Sequence, residues 1–306
     1  MIFNNLDEIV NLTIDEKIER LIPKNRYKRV KGLHRSNMML NPLNLKHLNR
    51  IDNLSADAIT LNLEDAIAPS RKREALINIA LFLSYLEETK SEIIIRVNSI
   101  DSGGAEEIEF LKNFTFNAVR VSKVKGLDDI KRALDILPEE KMLHISLETK
   151  EAFGELSRWS GIERLERANL GILDLLESLG LPQSILKIKN ETIAYVLSKF
   201  LIDTKSANIK PTSFMYQDYK DIEGFENFCK WERELGFNSK ACMGPAQVDI
   251  ANRVFEPSYY EIERAKEIKK LFEESSKKGV NGFMHQKYGF IDEPIYKDAL
   301  NCLKKY

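Results

Sequence analysis

Two carboxylates, Glu148 and Asp174, each follow an apolar, strand-like run: Met142 to Leu147 before the first and Leu170 to Leu173 before the second. A charge that ends a buried strand is costly unless it meets a cation, a metal or several donors. The two lie twenty-six residues apart, the separation of neighbouring strands in a β/α repeat. Further polar residues fall at equivalent strand ends: Arg35, Glu64 with Asp65, Arg96 with Asn98, and Lys123. Oxygen donors without a nearby histidine or cysteine pattern favour a hard cation, Mg²⁺ before Zn²⁺. The four histidines, His34, His47, His144 and His285, show no HExxH spacing. Mg²⁺ held by Glu148 and Asp174 would chelate the carboxylate and carbonyl oxygens of a 2-oxo acid and act as a Lewis acid where an enolate or alkoxide develops. Arg96 would grip the same oxygens, or a substrate carboxylate, in a bidentate fork. Glu64 or Asp65 would either orient the metal's waters or pair with Arg35 or Arg96. Lys72, in the first turn of a helix, would reach an anion or remain surface charge. A structural ion-pair network is the competing reading of the whole set.

These residues require a scaffold that brings strand ends to one face. Candidate strands run Leu33 to Leu40, Ala58 to Leu63, Glu92 to Val97, Ala118 to Val124, Met142 to Leu147, Leu170 to Leu173, Ile209 to Ser213 and Lys240 to Met243. Helical stretches separate them, among them Arg71 to Glu87, Leu127 to Leu137 and Ile222 to Leu235. Successive strands start roughly 30 residues apart, one βα unit each. Eight units add up to an α/β protein with a closed (β/α)8 TIM barrel, whose site lies at the C-terminal ends of the strands. An open doubly wound sheet is the alternative, but Ser36 to Pro42 offers no GxGxxG after the first strand. The expected organisation is an N-terminal helical segment over residues 1–32, a barrel over 33–255 and a helical C-terminal extension over 256–306. In the first segment Thr13 precedes Glu16 as a capping pair. The repeats stop after Pro245, and a long amphipathic helix from Glu256 to Lys278 follows, led by Pro257-Ser258.

Composition narrows the function classes. Charged residues are 30% and hydrophobic residues 43% of 306, with a formal net charge of -1, ordinary for a soluble globular chain. That balance gives no electrostatic reason to expect nucleic acid or anionic lipid as a partner. The basic run Lys24, Arg26, Lys28, Arg29, Lys31 is a local exception that reads as solvated surface or an anion patch. Cys229, Cys242 and Cys302 lack metal or redox spacing and read as reduced thiols. Met1 to Val10 carries Asp7 and Glu8 and does not read as a signal peptide, and no apolar run reaches membrane-spanning length. The expected location is cytoplasmic.

The motifs also stand in a recognisable order. Arg35-Ser36 opens the first strand's end, and residues 63 to 69 read Leu-Glu-Asp-Ala-Ile-Ala-Pro, with Lys72 three positions on. Ile-Arg-Val-Asn spans 95 to 98, Ser-Lys-Val 122 to 124, and Leu-Glu-Thr 147 to 149. Leu-Gly-Ile-Leu-Asp-Leu at 170 to 175 is followed by Leu179-Gly180. Together they resemble the citrate lyase beta subunit, malyl-CoA lyase and HpcH/HpaI aldolase superfamily, over about Arg35 to Leu303. The resemblance implies a (β/α)8 barrel, a homo-oligomer, and carbon–carbon cleavage or formation beside a carboxylate-bearing carbonyl. It implies Mg²⁺ on Glu148 and Asp174, a 2-oxo acid gripped by Arg96, and a coenzyme A or acyl-carrier-protein thioester as the other partner. Arg35, Lys72 and the backbone N–H groups of Gly171, Ile172 and Leu173 would bind substrate. Water, oriented by Asp65 or by a carboxylate such as Asp292 from a neighbouring subunit, would carry the proton. The chain departs from the family at Asn37 to Asn41, at Ile172-Leu173, at Gly244 and in Ile209 to Ser213, which lacks an aspartate. These departures surround the substrate more than the metal. They imply a different acid or a changed step such as thioester condensation or hydrolysis, and a non-catalytic barrel if Met39 or Leu173 fills the pocket.

Overall fold

The chain opens on two short helices, α1 (Leu6–Asn11) and α2 (Ile14–Glu19), instead of one. Thr13 separates them and caps α2: its Oγ1 accepts the Glu16 N–H at 3.2 Å, while Glu16 Oε2 accepts the Thr13 N–H at 2.7 Å. The computed structural model describes residues 2–23 and 33–304. The basic run from Lys24 to Lys31 lies outside them.

Strand and helix then alternate. The first half holds β1 (Ser36–Leu40), α3 (Leu45–Leu48), β2 (Ala58–Asn62), α4 (Lys72–Tyr85), β3 (Glu92–Val97), α5 (Gly104–Leu111), β4 (Ala118–Val121) and α6 (Leu127–Ile136). The second half holds β5 (Met142–Leu147), α7 (Lys150–Glu155), β6 (Leu165–Leu170), α8 (Ile172–Ser178), α9 (Glu191–Ser206), β7 (Lys210–Thr212), α10 (Ile222–Leu235), β8 (Lys240–Cys242) and α11 (Pro245–Phe255). All pairings are parallel, in the order β7-β6-β5-β4-β3-β2-β1-β8. Ser213 closes the ring: its N–H donates to Ser239 O at 2.9 Å and its carbonyl accepts the Ala241 N–H at 3.1 Å. This is the expected (β/α)8 barrel.

Side-chain parity divides each strand between two environments. On β3, Ile93, Ile95 and Val97 join the core under the helices, while Ile94 faces the axis with Ala58 and Ala118. Arg96 shares that inward frame. On β4, Val119 and Val121 face the helices and Arg120 faces in; on β5, Leu143, Ile145 and Leu147 face out and are followed by Glu148. Apolar residues at alternate positions thus anchor each strand outward and force its polar residues into the barrel.

Three expectations change. The sixth strand is Leu165–Leu170, earlier than Leu170 to Leu173, because Gly171 leaves the sheet and Ile172 begins a helix; Asp174 therefore sits in the first turn of α8, not at a strand end. The repeats do not stop after Pro245. That proline begins α11, where a missing N–H is harmless, and the eighth β/α unit is complete. The C-terminal extension, thirdly, is not purely helical.

The chain divides into Met1–Phe255 and Glu256–Tyr306. The second unit packs α12 (Tyr259–Ser276) and α13 (Glu293–Lys304) with a hairpin of β9 (Gly282–His285) and β10 (Gly289–Asp292) between them. Its small core is Ala265, Ile268, Phe272, Ile291 and Ala299, and the Phe272 and Tyr296 rings stack at 4.4 Å. Among the described residues no helix is long and apolar enough to cross a membrane.

Candidate active site

At the C-terminal ends of the strands, a pocket of about 130 Å³ is lined by Arg96, Arg120, Glu148, Asn169, Gly171 and Asp174, with Ile172, Leu173, Met39, Met215 and Gln217 also on its wall. Met39 and Leu173 flank this space without filling it.

Glu148 is the buried centre, 2% exposed. Lys123 N–H donates to its Oε1 at 2.7 Å, and Arg96 Nη2 lies 3.3 Å from its Oε2. Burial pushes the Glu148 carboxyl up, opposed by Arg96, Arg120 and the Lys123 N–H. Each carboxylate oxygen so engaged keeps a second lone pair. Lys123 donates from a left-handed backbone, φ 52°, a conformation that costs a non-glycine residue about 1 kcal/mol or more and collects at functional sites.

Gly171 allows the start of α8 to lie against this carboxylate. A Cβ there would stand 2.5 Å from Glu148 Oε2, closer than side chains tolerate. The close approach brings Asp174, the third residue of α8, onto the same pocket. Glu148 and Asp174 therefore present oxygen donors to one space, the set that a hard divalent cation prefers. Two protein carboxylates leave further coordination positions for water or substrate.

Around this pair runs a buried charge network. Arg96 Nη2 meets Glu64 Oε2 at 2.9 Å, and Arg96 Nε donates to Ser122 Oγ at 2.9 Å. Lys123 Nζ bridges Glu64 at 2.9 Å and Asp65 at 3.0 Å, and Glu64 in particular raises the lysine's pKa. Burial works against Asp65 ionising, but contacts with Glu64 and Lys123 hold its carboxyl below the usual range. Of the two uses open to Glu64 and Asp65, the structure displays ion pairing.

Two expected substrate ligands stand elsewhere. Arg35 precedes β1, so it lies at the N-terminal end of the barrel, where Nε and Nη2 each meet Asp57 at 2.9 Å. Lys72 donates to Leu63 O and Asn98 Oδ1, both at 2.6 Å, tying the loops after β2 and β3 together. Asp292, in the second unit, accepts the Ile295 N–H at 3.2 Å. The pocket in turn contains residues outside every motif, Arg120 and Asn169. Their sequence signal is parity: Val119-Arg120-Val121 repeats the frame of Ile95-Arg96-Val97 on the adjacent strand.

A second titratable group occupies the opposite mouth, where Glu92, His144 and Glu166 place ligand-type atoms within 4.8 Å of one another. His34 Nδ1 contacts Glu92 Oε2 at 2.8 Å, His144 Nε2 contacts Glu166 Oε2 at 3.2 Å, and Lys210 Nζ pairs with Glu166 at 3.0 Å. Arg167 adds a further positive charge beside both carboxylates. Lys210 and Arg167 together supply two positive charges to the two carboxylates, so charge balance calls for no metal.

The family described as HpcH/HpaI aldolase/citrate lyase matches residues 35–245. A (3S)-malyl-CoA thioesterase of Cereibacter sphaeroides is 29% identical over 233 residues, 76% of this chain and 80% of that protein. The mitochondrial citramalyl-CoA lyase of Homo sapiens is 26% identical over 281 residues, 84% of this chain and 81% of that one. The citrate lyase beta subunit of M. tuberculosis, complexed with oxaloacetate and magnesium, superposes with a TM-score of 0.61 at 17% identity, covering 74% of this chain and 98% of its own. The family match spans the barrel from the entry of β1 to the start of α11 and takes in every pocket carboxylate and arginine, and the chain belongs to the HpcH/HpaI aldolase/citrate lyase family.

Proposed function

We propose that this protein is a Mg²⁺-dependent carbon–carbon lyase that cleaves a 3-hydroxy acid, or its acyl thioester of the citramalyl or malyl kind, to a 2-oxo acid and an acetyl-bearing fragment. The observation that carries this reading is the convergence of Glu148 and Asp174 with two arginines on one small pocket at the C-terminal end of the barrel. Glu148 and Asp174 would hold Mg²⁺, which would supply Lewis-acid stabilisation of negative charge on the substrate's oxygens. Arg96 is held rigid by Glu64, Glu148 and Ser122, so its fork is pre-oriented toward charge that develops beside it. Lys123 aims Glu148 through its backbone N–H, a contact that favours the ionised carboxylate against the upward push of burial. The apolar wall of Met39, Ile172, Leu173 and Met215 limits water at the reacting carbons. Asp65, 57% exposed and paired with Lys123, would order a water that relays the proton.

A second reading uses the same pocket for hydrolysis of the thioester, and the Cereibacter thioesterase among the relatives favours it. The two differ in products. Incubation with malyl-CoA and citramalyl-CoA in Mg²⁺, followed by proton NMR and a thiol assay, separates them. Cleavage gives glyoxylate or pyruvate with acetyl-CoA and no free thiol; hydrolysis gives free thiol and the intact hydroxy acid. Turnover unaffected by chelation of Mg²⁺ would remove both readings.

A further inference from the structure

The pocket holds two guanidiniums on adjacent strands, and only one has carboxylate partners. Arg96 and Arg120 are paired in register on β3 and β4. Arg96 is answered by Glu64 and Glu148. Arg120, 5% exposed, donates from Nε to Ser146 Oγ at 2.7 Å, and among the described residues no carboxylate oxygen lies within ion-pair distance of it. One hydroxyl serves a group with five N–H donors. Burial, reinforced by the like charge of Arg96, pulls its pKa down to about 9, so it remains charged at neutral pH. A buried charge that lacks a partner destabilises a fold, and folds keep such groups where a ligand uses them.

We propose that Arg120 receives the carboxylate of the acid bound in this pocket. The proposal rests on the reading of the pocket as an acid site. Charge bookkeeping sharpens it. Glu64 and Asp65 balance Arg96 and Lys123, and Glu148 with Asp174 balances a divalent cation. Arg120 then leaves one positive charge, which one carboxylate cancels. The pocket thus suits an acid that brings a single carboxylate, its remaining acyl group neutral as in a thioester. The two-carboxylate acids are the poorer fit.

The test is calorimetric titration of pyruvate into Mg²⁺-saturated wild-type protein, Arg120→Met and Arg120→Lys, with a Mg²⁺ titration and a thermal melt of each. Arg120→Met should bind pyruvate about 10- to 100-fold more weakly, and Arg120→Lys should recover part of the loss. Mg²⁺ should still bind, because Glu148 and Asp174 both remain. The ligand-free Arg120→Met protein should melt no lower than wild type, which a merely structural arginine would not allow. Oxaloacetate should bind wild type less tightly than pyruvate. Pyruvate binding undiminished in Arg120→Met, or a Met variant that melts far below wild type while Arg120→Lys binds pyruvate no better, overturns the assignment, and tighter binding of oxaloacetate overturns the single-carboxylate count. Wild-type protein that binds neither acid overturns the acid-site reading beneath both.

Discussion

Gly171 rests on Glu148 so closely that a Cβ at 171 would lie 2.5 Å from Glu148 Oε2 and 2.8 Å from Glu148 Cβ. The contact joins the end of β5 to the start of α8, and through it the two carboxylates reach one pocket.

Gly171→Ala should therefore displace the Glu148 carboxylate. Overpacking of this kind costs about 1–3 kcal/mol of stability, and we expect Mg²⁺ affinity to fall by about 10-fold or more through the lost alignment of the ligands. Calorimetry and urea unfolding read the two effects. An alanine variant that binds Mg²⁺ as wild type does would show the contact to be incidental.

Lys123 holds a left-handed backbone while its N–H serves Glu148. Lys123→Gly and Lys123→Ala both remove the side-chain bridge to Glu64 and Asp65, but only alanine retains the backbone strain. The glycine variant should be the more stable by about 1 kcal/mol. Equal urea midpoints for the two would mean that the loop relaxes when the lysine is removed.

Behind the closing strands, Lys240 and Glu232 form a fully buried pair at 2.7 Å, with both side chains 0% exposed. Lys240 also donates to Phe214 O at 2.9 Å and sits 3.8 Å from the Phe214 ring centroid. Lys240→Met leaves the Glu232 carboxylate buried without its cation, and should cost about 3–5 kcal/mol. Lys240→Met with Glu232→Leu should recover much of that loss. A double variant as unstable as the single would point to lost packing and not to the orphaned charge.

The opposite mouth should make stability fall in mild acid. Burial, with help from Arg167, pushes the His34 imidazole from its ordinary 6.5 down to about 4. Between those values the unfolded chain binds the proton and the folded chain does not, so stability rises with pH across the window. The His34 contribution is complete above about pH 6.5 and is lost as pH falls toward about 4, with a slope of up to about 1.4 kcal/mol per pH unit. Burial opposes ionisation of Glu92, yet contact with His34 holds that carboxyl down at about 2, so its own acid loss comes at lower pH. Urea unfolding from pH 7 to 4 should show a shallower slope in His34→Gln. The same slope in both proteins would place the titration elsewhere.

The barrel was readable because alternation and unit length repeat, and strands such as Glu92–Val97 and Met142–Leu147 lie where periodicity puts them. The sixth strand was not, because Leu165 to Leu170 interleaves Glu166, Arg167 and Asn169 with its apolar residues, and the more apolar run past Leu170 drew the assignment forward. The hairpin of β9 and β10 has no clear strand pattern in the sequence because its Met284 and Phe290 are exposed, 76% and 55%, which puts apolar residues on both faces and breaks the alternation that marks a strand. At the site, residues at strand ends were legible and residues one layer down were not. Arg120 and His144 lie mid-strand, where apolar neighbours hide them, and only frame-by-frame comparison of adjacent strands brings them out. The pairing of Arg35 with Asp57 depends on which end of a strand a residue occupies, and Arg35 stands before β1, at the end opposite to the one its motif suggests.

The most direct test of the metal-dependent acid site is calorimetric titration of metal-free protein with Mg²⁺, alone and with pyruvate, for wild type, Glu148→Gln and Asp174→Asn. The expected result is that Mg²⁺ binds wild type, that pyruvate tightens it, and that both effects disappear in each variant. Pyruvate binding that is indifferent to Mg²⁺, or Mg²⁺ binding that survives both substitutions, would contradict the account.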